Sequence, residues 1–184
     1  MSVPKALSEA ECQDLARRVL ERVSAPMAQV QITSAASANT EFARGDVHMA
    51  NQTSGATVSL MVGFDGHRAQ VRTSRIDDEG LALLVREAEA AAREHRSPTN
   101  WFLQQPQTFP EGPQIYFPVT EAAMAAEEQA EIFRKSADAA EDAGLIVAGD
   151  VQMSVSTRAV MNTAGLTGYE RSSYGQFSLT ARTQ

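Results

Sequence analysis

The stretch ATVSLMVGFDGHRAQVRT, residues 56–73, decides the fold of the N-terminal half of the chain. Every second residue from Val58 to Val62 is apolar, which is typical of a strand with one buried face. Asp65-Gly66 follows, and this dipeptide favours a two-residue turn because both central positions of a type I′ turn need positive φ. The stretch therefore predicts a β-hairpin. Its strands are Ala56–Phe64 and His67–Thr73.

A helix and three extended segments precede the hairpin. Ser8-Glu9-Ala10-Glu11 has the pattern of a capping box, in which a serine and a glutamate three residues later satisfy each other's backbone amides. Apolar residues then recur at helical spacing, which predicts an amphipathic helix from Ser8 to Val23. The stripe consists of Cys12, Leu15, Ala16, Val19 and Val23. The predicted strands are Ala28–Thr33, Thr40–Ala43 and Val47–Thr53, with a turn at Arg44-Gly45-Asp46.

After the hairpin we expect a second helix and then a linker. Asp77-Asp78-Glu79 places acidic residues in the first turn, and Arg93 and His95 place basic residues in the last, as the helix dipole favours. Residues 97–118 hold five of the seven prolines and predict a loop or linker. The same segment contains several aromatic residues, which we expect to pack against the rest of the protein. These are Trp101, Phe102, Phe109, Tyr116 and Phe117.

The C-terminal part predicts a third helix followed by strands. The helix begins at Thr120 or at Glu127 and ends at Ala143, with Gly144 at the C-cap. Turn residues at Ser156-Thr157-Arg158 and at Ala164-Gly165 separate the extended segments. The predicted strands are Ile146–Val155, Ala159–Thr163 and Leu166–Arg182.

The two ends of the chain have the same order of elements, which suggests a duplicated α-β-β-β unit. We therefore predict an α+β fold in which antiparallel sheets are covered by three helices. The whole range 1–184 forms one domain in this interpretation, with possible sub-units 1–96 and 119–184 joined by the proline-rich linker 97–118. The strand pattern is still running at Gln184, so we expect the chain to be part of a longer protein.

Composition restricts the class of protein. The chain has 184 residues, of which 43% are hydrophobic and 21% charged, as in an ordinary globular domain. Its net charge of −7 disfavours direct binding to nucleic-acid phosphates. No stretch approaches the roughly 20 apolar residues that span a bilayer, so we expect no membrane association. Without a signal peptide, and with a single cysteine, the chain is expected to be cytoplasmic.

The residues present no complete catalytic, cofactor-binding or metal-binding constellation. His48, His67 and His95 are far apart in sequence and lack the spacing that places two imidazoles on one helix face. Cys12 lies on the apolar stripe of the first helix, where it is expected to pack as a small hydrophobic residue. The acidic cluster Asp77-Asp78-Glu79 is explained by helix capping. We therefore predict no catalytic residue, no cofactor-binding residue and no metal ligand in this chain.

Several short segments resemble the TldD/PmbA family, whose members carry the name modulators of DNA gyrase. In the N-terminal half these are Asp14–Glu21, Asn39–His48 and Asp77–Leu81. In the C-terminal half they are Ala143–Leu145, Met161–Leu166 and Ser178–Thr183. Each segment is weakly specific, and their order and spacing carry the resemblance, which spans nearly the whole chain. An unrelated α+β domain with the same helix and hairpin patterns is the alternative.

The resemblance implies the N-terminal domain of a prokaryotic, cytoplasmic metallopeptidase system that degrades or trims unfolded peptides. TldD-type members of the family carry zinc on an H-E-x-x-x-H helix and a later cysteine, both in the C-terminal half, so no catalytic residue transfers to this sequence. PmbA-type members lack the metal motif and act as partner subunits. Two hypotheses follow: a non-catalytic domain that admits unfolded peptide along strand edges, or an assembly module of a metal-free partner. Both imply homo- or hetero-oligomers with TldD/PmbA-type subunits.

Overall fold

The computed structural model describes residues 3–44, 46–64, 66–94, 101–110 and 112–183. Within these residues the chain forms four helices and five strands. The helices are α1 (Glu9–Leu20), α2 (Asp78–Glu94), α3 (Pro118–Ala122) and α4 (Ala126–Asp142). The strands are β1 (Met27–Ala43), β2 (Asp46–Phe64), β3 (His67–Thr73), β4 (Leu145–Asn162) and β5 (Thr167–Thr183).

All five strands belong to one antiparallel sheet with the order β3-β2-β1-β4-β5. The predicted α+β class with antiparallel strands is confirmed, and the strands of the two halves join edge to edge into a single sheet. Strands β1 and β4 pair at its centre, so each half of the chain contributes one hairpin to a common sheet. The order α-β-β occurs twice, as α1-β1-β2 and α4-β4-β5, but among the described residues β3 has no counterpart in the second half.

The helices cover one face of the sheet and leave the other face open. Every even-numbered residue of β1 from Ala28 to Phe42 is buried, as the twofold alternation of a strand requires. At one end of this face α1 and α2 close the largest hydrophobic cluster over β1 and β2. At the other end α4 packs on β1 and β4, where the rings of Phe42 and Phe133 stack with centroids 4.2 Å apart. The protein is thus a two-layer structure with one helical and one polar, open face.

Two predicted interruptions of the strands are wrong. The prediction ends one strand at Thr33 and begins the next at Thr40, yet β1 runs through Ser34–Asn39 because this segment pairs with β2 on one side and β4 on the other. The predicted turn at Ser156-Thr157-Arg158 is the middle of β4 and pairs with β1. Val47–Thr53 and Ala56–Phe64 likewise merge into β2. Turn-forming residues remain extended where neighbouring strands satisfy their backbone groups on both sides.

The helix signals are largely confirmed. Ser8 is the N-cap of α1, and the capping box with Glu11 is present, but the helix ends at Leu20 instead of Val23. A carboxylate oxygen of Asp77 accepts a hydrogen bond from Gly80 N at 2.7 Å at the start of α2. The third helix is predicted to begin at Thr120 or at Glu127. Each start is correct in part, because Thr120 lies in the short helix α3 and Glu127 lies in the first turn of α4. Gly144 follows α4 with a φ of 69°, as the C-cap prediction requires.

The predicted hairpin at residues 56–73 is present, with Phe64 opposite His67 and a φ of 81° at Gly66. Several residues named in the predictions lie outside the described part of the chain. These are Gly45, Asp65, His95, residues 97–100 at the start of the linker, and Gln184.

The described part of the linker lies against the sheet. We call the segment from Trp101 to Phe117 the strap. On the open face the ring of Trp101 packs directly on Gly63, about 3.1 Å from the position that a Cβ atom would take there. The ring of Phe109 packs on Gly168 in the same way. Phe102, by contrast, is 82% exposed. The expected packing of the linker aromatics therefore holds for Trp101, Phe109 and Tyr116 and fails for Phe102.

Candidate functional site

The first candidate feature is the unpaired outer edge of β2. Strand β3 pairs only with the segment from Val58 to Phe64, so within the described residues Asp46–Thr57 has no partner on the side away from β1. This part of β2 is almost entirely exposed. Val47 and Met49 are 54% and 47% exposed. A free strand edge presents a row of backbone donors and acceptors to any extended chain.

The hydrogen-bond pattern identifies the amides that point outward from this edge. Thr163 N donates to Ala28 O at 3.0 Å, so the backbone groups of Ala28 point toward β4. In an antiparallel pair this direction alternates, so Val62, opposite Ala28, points its backbone groups away from β1. The register is unbroken from Gly63 to Met49. The outward amides of the free segment are therefore those of Ala50, Gln52, Ser54 and Ala56.

Beyond Asp46 the same segment contains no Lys, Arg, Asp or Glu. From Val47 to Phe64 there is no Lys, Arg, Asp or Glu, and no proline. Charged residues and prolines are the usual means by which proteins protect a strand edge from further pairing. The edge of β2 is thus both geometrically open and chemically unprotected.

The second candidate feature is the outer edge of β5. Ser173 N donates to Ile115 O in the strap at 2.9 Å, and Phe117 N donates to Ser173 Oγ at the same distance. The strap therefore already forms one backbone bond with this edge. Within the described residues nothing pairs with β5 beyond Ser173, from Tyr174 to Thr183. The protein itself shows that an extended segment can add to this side of the sheet.

A cleft of about 870 Å³ lies between the strap and the open face. Its roof is apolar and includes Phe109, Pro110, Pro113 and Ile115. Its floor is polar and consists mainly of side chains from β1, β4 and β5. These include Gln31, Thr33, Arg158 and Glu170. Such a combination can hold an apolar side chain above polar hydrogen-bonding groups.

A charged cluster fixes the end of the strap beside β5. Arg171 Nη2 donates to Glu121 Oε2 at 2.6 Å, and Tyr116 Oη donates to the same oxygen at 2.5 Å. The Arg171 guanidinium lies 4.5 Å from the centre of the Tyr116 ring. The hydrogen bond to Glu121 raises the pKa of the Tyr116 phenol, which keeps that phenol protonated. This cluster anchors the end of the strap to β5.

The candidate residues considered from sequence do not come together. His48 lies on the free part of β2, His67 lies beside the hairpin turn, and Cys12 is fully buried in α1. Burial raises the pKa of the Cys12 thiol, which disfavours the reactive thiolate. No group of three His, Cys, Asp or Glu residues within the described ranges could hold a metal ion. The resemblance places the zinc of the family on a helix and a cysteine that have no counterpart in this sequence, so the described residues offer no candidate set of ligands for it.

Asp77, Asp78 and Glu79 belong to the start of α2 and to ion pairs with nearby arginines. Asp78 accepts from Arg18 and from Arg22 at 3.1 and 2.7 Å. The sequence interpretation of these residues as structural is consistent with these contacts. The free edges were missed as specific sites, although the charge-free run in β2 is visible in the sequence.

No helix within the described residues is long and apolar enough to cross a membrane. No protein-family model matches the chain. No curated protein matches it either.

Solved structures do match it. The chain resembles TldE from Thermococcus kodakarensis with a TM-score of 0.67 and 18% identity. It also resembles a "putative modulator of a DNA gyrase" from Thermotoga maritima MSB8, with a TM-score of 0.74 and 16% identity. A third match, the "putative modulator of DNA gyrase" from Bacteroides thetaiotaomicron VPI-5482, has a TM-score of 0.71 and 16% identity.

Each match covers 94% of this chain and 43%, 40% and 41% of the other chain, respectively. The chain thus spans about two fifths of the length of the structures it matches. It has the α+β fold found in TldE and in the proteins named modulators of DNA gyrase. The resemblance to the TldD/PmbA family is confirmed at the level of the fold.

Proposed function

We propose that this chain is the non-catalytic N-terminal domain of a cytoplasmic TldD/PmbA-type metallopeptidase system that degrades or trims unfolded peptides. In this proposal it holds unfolded peptide as an additional strand on the outer edge of β2. The observation that carries the peptide-binding role is the unpaired segment Val47–Thr57, which contains no Lys, Arg, Asp or Glu, with its four outward amides.

Strand addition suits a substrate defined only by being unfolded. The bonds run between backbone groups, so they require an extended chain and no particular sequence. An uncharged edge neither attracts nor repels particular side chains of the peptide. The side chains of Val47 and Met49 are exposed and offer apolar contact to an added strand.

Catalysis belongs elsewhere in this proposal. The described residues contain no metal-binding group, and Cys12 is buried. Any zinc of the system would be held by residues outside this chain, in the part of the matched structures that this chain does not cover. Reading the parent gene beyond Gln184 for H-E-x-x-x-H distinguishes a subunit with its own metal site from a metal-free partner.

The alternative is an assembly module of a PmbA-type partner that binds no peptide. The observation that favours it is the second free edge, on β5. The two roles use different edges, so they can be tested separately.

The peptide proposal is tested with Ser54→Pro, which removes one outward amide and leaves the bonds to β1 in place. We expect the affinity for a fluorescein-labelled, uncharged ten-residue peptide to fall about tenfold in fluorescence anisotropy. Ser54→Ala is the matched control, because it removes the same side chain and keeps the amide. Equal affinities of the two variants, or no binding by the wild-type chain, would contradict the proposal.

A further inference from the structure

The cleft beneath the strap has two opposite charges side by side in its floor. Arg158 in β4 lies directly opposite Glu170 in β5. Both side chains are on the same face as the strap, because a Cβ on Gly168 would point at Phe109, and Glu170 lies two residues further along β5. Among the described residues neither charge is in an ion pair. The floor therefore offers one cation and one anion to a ligand.

The backbone places these two charges close together. Ser173 N points away from β4, since it donates to Ile115 in the strap. This direction alternates along a strand, so the backbone groups of Glu170 point toward β4 and pair with those of Arg158. The Cα atoms of such a hydrogen-bonded pair are about 5.5 Å apart. The two side chains thus rise from neighbouring points and can contact ligand charges a few ångströms apart.

A pair of opposite charges selects a ligand that carries both signs. A purely anionic ligand would be attracted by Arg158 and repelled by Glu170, and a purely cationic ligand would meet the reverse. A zwitterion can place its carboxylate on the guanidinium and its ammonium group on the carboxylate. The charged ends of an extended dipeptide are about 6 Å apart, and each further residue adds about 3.5 Å. A dipeptide therefore matches the spacing of the Arg158–Glu170 pair.

The roof of the cleft provides apolar contact for the side chains of such a ligand. Phe109 and Ile115 line the cleft and are still 49% and 41% exposed. A ligand that covers them removes apolar surface from water, which favours binding. On the floor the polar side chains of Gln31 and Thr33 can form hydrogen bonds with the single peptide group of a dipeptide. The volume of about 870 Å³ is sufficient for a ligand of this size.

We propose that the cleft beneath the strap binds apolar dipeptides, with the free carboxylate on Arg158 and the free ammonium group on Glu170. This inference does not depend on strand addition at β2, because the ligand contacts side chains of β1, β4, β5 and the strap instead of a strand edge. It also differs in ligand length, since the edge of β2 can accept any extended chain.

An NMR titration of the ¹⁵N-labelled chain with leucyl-phenylalanine tests the proposal. We expect saturable shifts of the backbone amide signals of Gly112 and Gly168, which line the cleft, at ligand concentrations up to about 10 mM. N-acetylation or C-terminal amidation of the ligand should each weaken binding about fivefold, because each removes one ligand charge. Free phenylalanine and a leucyl-phenylalanine extended by one residue should both bind more weakly than the dipeptide.

Two variants assign the two ends of the ligand. Glu170→Gln keeps the shape of the side chain and removes its charge, so the acetylated and the free dipeptide should bind this variant alike. Arg158→Gln should in the same way bind the amidated and the free dipeptide alike. If instead either variant distinguishes its ligand pair as strongly as the wild-type chain does, the assigned contact is wrong.

The contribution of the strap is tested with Phe109→Ala, which should weaken dipeptide binding about fivefold through the loss of apolar contact. Phe102→Ala is the matched control, because Phe102 belongs to the same strap, is 82% exposed and does not line the cleft. Ser54→Pro, on the edge of β2, should leave the dipeptide affinity unchanged, which keeps this proposal separate from the proposed function. No saturable shift in the wild-type chain, or equal affinity for a dipeptide blocked at both ends, would overturn the proposal.

Discussion

Asp77 illustrates how one carboxylate stabilises a helix start. Its side chain accepts a hydrogen bond from Gly80 N at 2.7 Å, and Arg75 lies within 3.3 Å of the same carboxylate oxygen. The bond to Gly80 is the main cause that lowers the pKa of Asp77 below its ordinary value, with Arg75 contributing in the same direction. A carboxylate whose pKa is lower in the folded state favours folding when it is ionised.

The resulting pH dependence is predicted as follows. The stabilisation by Asp77 is fully present above the pKa of the unfolded chain, about 4, and is lost as the pH falls through the lower pKa of the folded state. Asp77→Asn should therefore be less stable than the wild-type chain at pH 7, and the difference should shrink in acid. Urea unfolding between about pH 7 and about pH 2 measures this.

Glu87→Gln, which makes the same change of charge on α2, is the control for Asp77→Asn. Its free energy of unfolding at pH 7 should stay within about 0.5 kcal/mol of the wild-type value, because Glu87 is exposed. A difference in the free energy of unfolding between Asp77→Asn and the wild-type chain that stays constant across this pH range would contradict the prediction. It would show that the stabilisation by Asp77 does not depend on the ionisation of its carboxylate.

At the scale of elements, α4 is attached to the sheet through a buried amide. Gln129 is only 1% exposed. Its Nε2 donates to Ala38 O at 3.2 Å, and its Oε1 accepts from the Thr40 hydroxyl. A buried polar side chain of this kind specifies how the helix docks, since any other position leaves β1 with unsatisfied groups.

Replacing this amide should loosen α4. Gln129→Ala leaves the buried Thr40 hydroxyl without its partner and removes a second donor from the Ala38 carbonyl, and we expect a loss of about 1–3 kcal/mol in the free energy of unfolding. Denaturant titration followed by circular dichroism measures it. Glu128→Ala, at an exposed neighbouring position, should change stability by less than about 0.5 kcal/mol. Similar values for the two variants would contradict the role assigned to Gln129.

At the scale of the whole molecule, the chain is a covered sheet with two open edges and no metal-binding group in the described part. We therefore expect the isolated chain to retain less than one zinc ion per molecule after dialysis, because the described residues supply no set of ligands. We also expect no cleavage of unfolded peptides with or without added zinc. Elemental analysis measures the zinc content. Mass spectrometry of an unfolded peptide incubated with the chain measures cleavage, with trypsin as the positive control. Stoichiometric zinc with chelator-sensitive cleavage would refute this prediction.

Local signals predicted much of the fold. The capping box at Ser8, the turn signal before His67 and the C-cap at Gly144 depend on neighbours within a few residues, so the sequence alone indicates them. The absence of charge from Val47 to Phe64 is equally visible in the sequence. A strand with one solvent-exposed face and one apolar face can also be predicted from its alternating residues, as in β2 near Val58.

Long-range pairing decided the rest. Only the tertiary structure shows that Ser34 and Thr157 lie in the middle of continuous strands, because their extended conformation depends on partners more than a hundred residues away in the chain. Which edges of the sheet remain unpaired is also a property of the whole sheet. The sequence by itself determined the helix starts, the tight turns and the alternation of the hairpin, all of which arise from local hydrogen bonds. The tertiary structure alone decided that the two halves share one sheet and that β2 and β5 keep free edges, because strand pairing joins residues that no local pattern connects.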